Sequence, residues 1–334
     1  MKISVLIPAY NCAATIQATL NSVLRQSLPA EEILVMDDGS TDQTAAILKL
    51  YEPRIRVFWQ PNGGVSRARN ALIARARGDL IAFLDSDDVW HPGYLELQRE
   101  LFLRCPGASA AFAAHANFCG VDSYRWDHSD SDGQIRLEIF EPVSFFRRFQ
   151  IAPGHFVFSF CCVPKRVLES IGSLPFDLKV AEDVYFCNLL PFLGPVVFAT
   201  APLFGAYRVR AGSLASNRLE CAEGEVNAFE LLEKHYTNRT GQLVKEFKRA
   251  FASKRRAYAK ILLGVGRTSE ARGQLWRSIM CSGGAISLAK SFALVSLSGL
   301  PRSLQPKWPP VDRQRIRFDQ GCTDAKDSGF PRKD

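Results

Sequence analysis

The sequence predicts an α/β fold: a mostly parallel sheet flanked by helices, with a helical extension toward the C-terminal end. Three observations carry this. Over the first ~110 residues, short apolar runs alternate with helix-period segments, the rhythm of βαβ units. The first run, Ile3–Ile7, reads as a strand covered on both faces. From about Glu223 to Leu300 the pattern turns helical and basic, as in an appendage.

The elements follow in order. After Ile3–Ile7, Asn11 is placed to cap a helix whose apolar positions Ile16, Leu20, Val23 and Leu24 form one stripe. Ile33–Met36 is the second strand, followed by Asp37-Asp38-Gly39-Ser40 and a helix to about Tyr51. Arg56–Trp59 is the third strand. A helix from about Val65 to Ala76 ends by Gly78, and Leu80–Leu84 is the fourth strand. Farther on, the sequence predicts a strand near Ala110–Ala114, a polar excursion at Asp122–Gly133 and a helix near Pro142–Phe149. A strand-like run at Phe156–Val163 and a helix ending at Gly172 come next. Glu182-Asp183 opens another apolar segment, and Leu203–Tyr207 reads as a last strand. The chain divides into residues 1–220, in halves 1–110 and 111–220, a basic helical extension at 221–300, and a tail at 301–334. The tail is rich in Pro, Lys, Arg and Asp without apolar periodicity, and is expected to be disordered.

Composition narrows the class. A 47% hydrophobic, 23% charged chain of 334 residues can bury a sizeable core. Its nine cysteines are odd in number and include no CxxC pair, which fits reduced thiols better than disulfides or a zinc site. The N-terminal apolar run is too short for an export signal, and no run reaches the ~18 residues of a spanning helix. The expectation is a cytoplasmic protein, peripheral at the inner face of the membrane. The net charge of +8 gathers in the extension, where Gly241–Ser278 holds ten Lys or Arg against Glu246 and Glu270. There Leu243, Phe247, Phe251, Tyr258 and Leu262 fall near one helix face between basic residues. That face either binds an anionic membrane surface or packs on the rest of the protein. Nucleic acid is set aside as a partner, because a basic tail explains none of the acidic motifs.

In open parallel sheets ligands gather outside the carboxyl ends of the strands. Here those ends carry Pro8-Ala9-Tyr10-Asn11, Asp37-Asp38-Gly39-Ser40, Asn62-Gly63-Gly64 and Asp85-Ser86-Asp87-Asp88. The glycines of a dinucleotide fingerprint are missing after the first strand, which disfavours a dehydrogenase. No GxxxxGK[ST] phosphate loop occurs either. Three carboxylates in four residues, at Asp85, Asp87 and Asp88, repel one another unless a cation joins them; such oxygens suit Mg²⁺ or Mn²⁺. One Asp would suffice to cap the next helix. Asp37-Asp38 also suits a turn cap, although a cap does not require two aspartates. Tyr10, taken alone, fits a core position better than a stacking surface.

The ordered set is more specific than its parts. Ile7-Pro8-Ala9-Tyr10-Asn11, Met36-Asp37-Asp38-Gly39-Ser40, Asn62-Gly63-Gly64 through Arg69-Asn70, Phe83-Leu84-Asp85-Ser86-Asp87-Asp88 and Glu182-Asp183 resemble family 2 glycosyltransferases over residues 1 to about 215. The resemblance implies a GT-A fold with a Rossmann-like sheet in residues 1–220. It also implies inverting transfer from a nucleoside-diphosphate sugar, UDP-linked, to a saccharide or lipid-linked hydroxyl in cell-surface polysaccharide or glycolipid synthesis. By the same resemblance Pro8, Tyr10, Asn11 and Asp38 hold the base, with Asn62, Arg69 and Asn70 nearby. Asp85 and Ser86 face the ribose, Asp87 takes Mg²⁺ or Mn²⁺, and Asp183 is the catalytic base, Glu182 being the alternative. His155, Phe156 and Phe158 are expected near the acceptor. The chain departs from the pattern where many relatives carry Tyr-Arg-x-His: it has Tyr207-Arg208-Val209-Arg210. Arginine cannot ligate a metal, being always protonated, but it can clamp a diphosphate. Arg210 is the one feature favouring the alternative, a non-catalytic protein that binds sugar nucleotide or lipid. The QxxRW motif of processive synthases is missing, which points to single additions.

Overall fold

Seven consecutive buried residues, Ile3–Ala9, form strand β1 near the middle of the main sheet. The computed structural model describes residues 1–121, 124–126, 134–210, 217–237, 240–281 and 294. β1 pairs in parallel with β2 (Glu32–Asp37) and β4 (Leu80–Phe83), and β3 (Arg56–Trp59) lies outside β2. On the other side of β4 comes an antiparallel strand, β9 (Cys161–Pro164), then β6 (Ala110–Ala113) and β10 (Val196–Ala201), parallel to each other. β8 (Arg136–Phe140) closes that edge antiparallel to β10. A second, three-stranded sheet joins β5 (Val89–Trp90), β11 (Gly205–Arg208) and β7 (His115–Phe118).

The helices sit on both faces of the large sheet, as a mostly parallel sheet requires. Side chains alternate along β1: Val5 and Ile7 face α1 (Ile16–Leu24) and α4 (Tyr94–Arg104), while Leu6 faces the opposite core. That opposite core includes α3 (Val65–Ile73), α5 (Pro142–Ile151) and α7 (Glu182–Leu189). The short helices α2 (Thr44–Lys49) and α6 (Lys165–Ile171) complete the connections.

The C-terminal helices are not an appendage. α8 (Arg218–Thr237), α9 (Gln242–Gly264) and α10 (Thr268–Met280) contribute Val226, Phe229, Tyr236, Phe247, Phe251, Leu262 and Leu275 to the same core as Phe112 and Phe198 of the sheet. Of the two alternatives for the apolar stripe, the structure therefore shows packing on the rest of the protein. Phe247, Phe251, Tyr258 and Leu262 are buried and Leu243 is half-buried. Several basic residues of that stretch are also paired within the protein: Lys254 with Glu225, Arg255 with Glu230 and Arg249 with Glu246. An interfacial helix needs a free apolar face, and this one has spent it on packing.

Other differences are local. The run expected as a strand over Phe156–Val163 is broken by a single 3₁₀ turn at Phe158–Phe160, which follows another at Pro153–His155 and leaves Cys161–Pro164 as the strand. β5, β7, β8 and β10 were not foreseen; two to six residues long, they lack a clear period. The excursion at Asp122–Gly133 and the tail 301–334 fall largely or wholly outside the described residues. The described cysteines form no disulfide with one another. Among the described residues no helix is long and apolar enough to cross a membrane.

Candidate active site

The loops that leave β1, β2, β3 and β4 meet, as expected, on one rim around a cavity of about 750 Å³. They are tied to one another sideways. Asn11, at φ 46°, accepts the Thr41 backbone N–H through Oδ1 at 2.8 Å, and its own N–H donates to Ser40 Oγ. Asp38 is buried and accepts from Gln60 Nε2 and from the backbone N–H groups of Gly63 and Gly64 at 2.6–3.2 Å. Gly39, at φ 75°, lies so close to the next loop that a Cβ would come within 2.7 Å of the Asn62 nitrogen. Two aspartates are thus explained: Asp37 accepts the Ser40 N–H and caps its own turn, while Asp38 fastens the neighbouring loop.

Pro8, Tyr10, Asp38, Asn62, Arg69, Asp85, Ser86, Asp87 and Asp183 all line the cavity. Asn11 and Asn70 do not. Asn11 is spent on the loop ties, and Asn70 bonds both backbone groups of Leu174, pinning the segment that leads to α7. Asn11 Oδ1 and the side-chain amide of Asn70 thus serve the frame of the cavity. Tyr10, which taken alone fits a core position and by the resemblance holds the base, is 48% exposed and lines the cavity.

Arg69 is the hinge of the charge arrangement. Its buried guanidinium donates to Asp85 Oδ1 and Glu182 Oε1, both at 2.6 Å, and rests over the Phe158 ring. Phe158 and Phe156 are core residues instead of acceptor contacts, and nothing of the His155 side chain is described. α7 begins from Ala181, whose φ of 69° is unusual for a residue with a Cβ and costs on the order of 1 kcal/mol. That turn presents Glu182 and Asp183 at the helix N-terminus, where the dipole favours carboxylates. Asp183 nevertheless has its carboxyl pushed up to about 7, by burial first and then by the adjacent Glu182 charge.

Of the three clustered aspartates, Asp88 turns away. It is buried and accepts the Arg208 backbone N–H, joining the β4 loop to β11. Burial, then the charges of Asp87 and Asp85, holds its carboxyl well above the usual range. Asp87 is also raised, by burial and then Asp85, with Arg210 opposing. Among the described residues no group of three His, Cys, Asp or Glu side chains stands assembled for a metal. Two neighbouring carboxylates on the cavity wall still fit Mg²⁺ or Mn²⁺, which take one or two from protein and the rest from phosphate and water.

Residues 4–171 match the family model described as glycosyl transferase family 2. The chain belongs to that family. Chondroitin synthase from Pasteurella multocida is 34% identical over 195 residues, covering 56% of this chain and 20% of that protein. The chain thus spans about a fifth of that relative's length. Among solved structures, S. aureus TarS residues 1–349 in complex with UDP-GlcNAc superposes with a TM-score of 0.64 at 20% identity, covering 89% of this chain and 84% of that one. A mannosyltransferase from Pyrobaculum calidifontis in complex with GDP-Man and Mn²⁺ gives 0.54 at 15% identity, covering 89% and 80%. These likenesses establish the GT-A fold, including its C-terminal helices. The family 2 match ends in α6, before Glu182, Asp183 and Arg210. The motif reading also missed Gln60, Phe176 and Lys179, and α8 adds Cys221 and Glu225 to the cavity wall from a distant part of the chain.

Proposed function

We propose that the protein is an inverting glycosyltransferase that moves a sugar from a UDP-sugar to a hydroxyl of a saccharide or lipid-linked acceptor, in cell-surface polymer or glycolipid synthesis. The observation that carries this reading is the Asp85–Arg69–Glu182 chain, which fastens the acidic loop after β4 to the Glu182-Asp183 end of α7 across one cavity. A donor-binding end and a basic group for the acceptor are thereby held at fixed separation, the arrangement a displacement needs. The UDP-GlcNAc bound by TarS supports the donor class, and the name of the Pasteurella relative supports polysaccharide synthesis.

In this reading the Tyr10 ring stacks on the base and the loop fastened by Asp38 frames it. Asp183 takes the proton of the acceptor hydroxyl as that oxygen attacks the anomeric carbon. The bond from that carbon to the diphosphate oxygen breaks, and UDP leaves with the electron pair. Attack from the face opposite the leaving group inverts the carbon. A raised proton affinity suits Asp183 to the task, because a base must hold the proton it removes. Asp87, with Asp85 beside it, would hold Mg²⁺ or Mn²⁺, which when bound would supply positive charge to the leaving diphosphate. A panel of nucleotide sugars, assayed for release of nucleoside diphosphate with and without acceptor, tests the reading. Turnover that Asp183→Asn removes supports it. Tight UDP binding without turnover of any donor would establish the non-catalytic alternative.

A further inference from the structure

Both carboxylates of the candidate metal pair already carry a guanidinium. Asp85 is paired with Arg69, and Asp87 Oδ2 lies 3.0 Å from Arg210 Nε. Each guanidinium offsets part of the carboxylate charge, so a divalent cation approaching the pair is attracted less strongly than by two unpaired carboxylates. The two arginines differ in how firmly they are held. Arg69 is buried, shared with Glu182 and seated on Phe158. Arg210 is 49% exposed and lines the cavity, while Asp87 is only 18% exposed. The neighbouring Arg208 is buried and held differently: its guanidinium donates to the backbone carbonyls of Asp87 and Gly120, and its charge also favours the ionised Asp87 carboxylate.

We propose that Arg210 is an exchangeable counter-ion of Asp87, released by the diphosphate of the donor, so that the divalent cation enters only with or after the nucleotide. This rests on Asp87 being the metal ligand. A guanidinium fork matches phosphate oxygens in two-point geometry, so moving from Asp87 to diphosphate keeps Arg210 paired. The move frees Oδ2 for a cation whose remaining ligands the same diphosphate completes.

Electron paramagnetic resonance of free Mn²⁺, titrated with the full chain, tests the exchange. In the wild type, UDP should raise Mn²⁺ affinity roughly tenfold or more, and by linkage Mn²⁺ should raise UDP affinity by the same factor. Arg210→Ala, and Arg210→Gln of similar length without the charge, should bind Mn²⁺ about two- to fivefold more tightly than wild type when no nucleotide is present. Both should bind UDP less tightly without metal, and the coupling factor should shrink. Unchanged or weaker nucleotide-free Mn²⁺ affinity in both variants overturns the proposal. Asp87→Asn separates the two ideas. If it retains wild-type Mn²⁺ binding with UDP, the assignment of Asp87 itself fails. If it loses that binding while the Arg210 variants behave as wild type, only the exchange fails.

Discussion

Tyr236 and Phe247 stack face to face, their ring centroids 3.8 Å apart and their planes 12° from parallel. One residue is in α8 and the other in α9, and both belong to the core that reaches the main sheet. Phe247→Ala should cost about 3–5 kcal/mol, the usual penalty for emptying a buried aromatic site. Deleting everything after Asn238 should leave a chain that no longer unfolds cooperatively. Thermal denaturation followed by circular dichroism decides it; a truncated chain that melts like the full one would return these helices to the status of an appendage.

Asp183→Asn should lower transfer by roughly 10²- to 10⁴-fold, the range for a general base. The amide keeps the shape and accepts no proton, so UDP affinity should stay near wild type. Calorimetric UDP titration beside steady-state assays separates the outcomes. Equal loss of binding would mark Asp183 as a donor contact.

The pH dependence has a definite sign. In the proposed function the ionised form of Asp183 is the active base, and its carboxyl is pushed up to about 7. Transfer should therefore rise with pH through that region and fall away on the acid side. For stability the sign is opposite. A folded-state pKa above the unfolded value near 3.8 means the folded chain holds the extra proton. That contribution is present at low pH and is lost as pH rises through about 7. Asp183→Asn should flatten this slope. A kcat/KM profile level from pH 5.5 to 8 would contradict the assignment.

Arg69→Met should destabilise the protein by about 3–5 kcal/mol, because Asp85 and Glu182 would lose their shared buried counter-charge. Arg69→Lys should recover only part, since an ammonium cannot make both bonds with one planar fork. Melting temperatures of the two variants check this. Equal stability of all three proteins would remove Arg69 from its bridging role.

Tyr10→Ala should weaken UDP binding by about 1–3 kcal/mol, the worth of one base stacked on an aromatic ring. Its melting temperature should hardly change, because the ring is already half in solvent. A UDP titration that matches wild type would place the base elsewhere.

Much of this was legible in the sequence. The strands β1 to β4 announce themselves because buried parallel strands are apolar runs, and the polar residues after them have nowhere to go but the shared rim. The partners of Asn11 and Asn70 were not legible, because a motif records position without recording which group an amide finds; Asn11 Oδ1 and the Asn70 amide bond backbone groups of neighbouring segments. For Tyr10 the residue alone left core and surface open, since an aromatic beside a strand end is one or the other according to loops that pack much later. The direction of the α9 stripe was open for the same reason. A helix face with apolar residues at Phe247, Phe251 and Tyr258 needs burial, and only the fold supplies α8 and α10 as the place for it.

The sideways ties among the first loops also bear on what can be redesigned. Asn11 to Thr41 and Asp38 to Gly64 form a brace contained within residues 11–64. The opposite wall comes from Pro153–Gly154, Phe176–Asp183 and α8. Exchanging side chains at Phe176 or Lys179 touches none of those bonds. The cavity is thus divided into a stiff half whose shape is locally inherited and a half open to piecemeal alteration, so under the proposed function a changed acceptor preference can be sought without rebuilding the half assigned to the nucleotide.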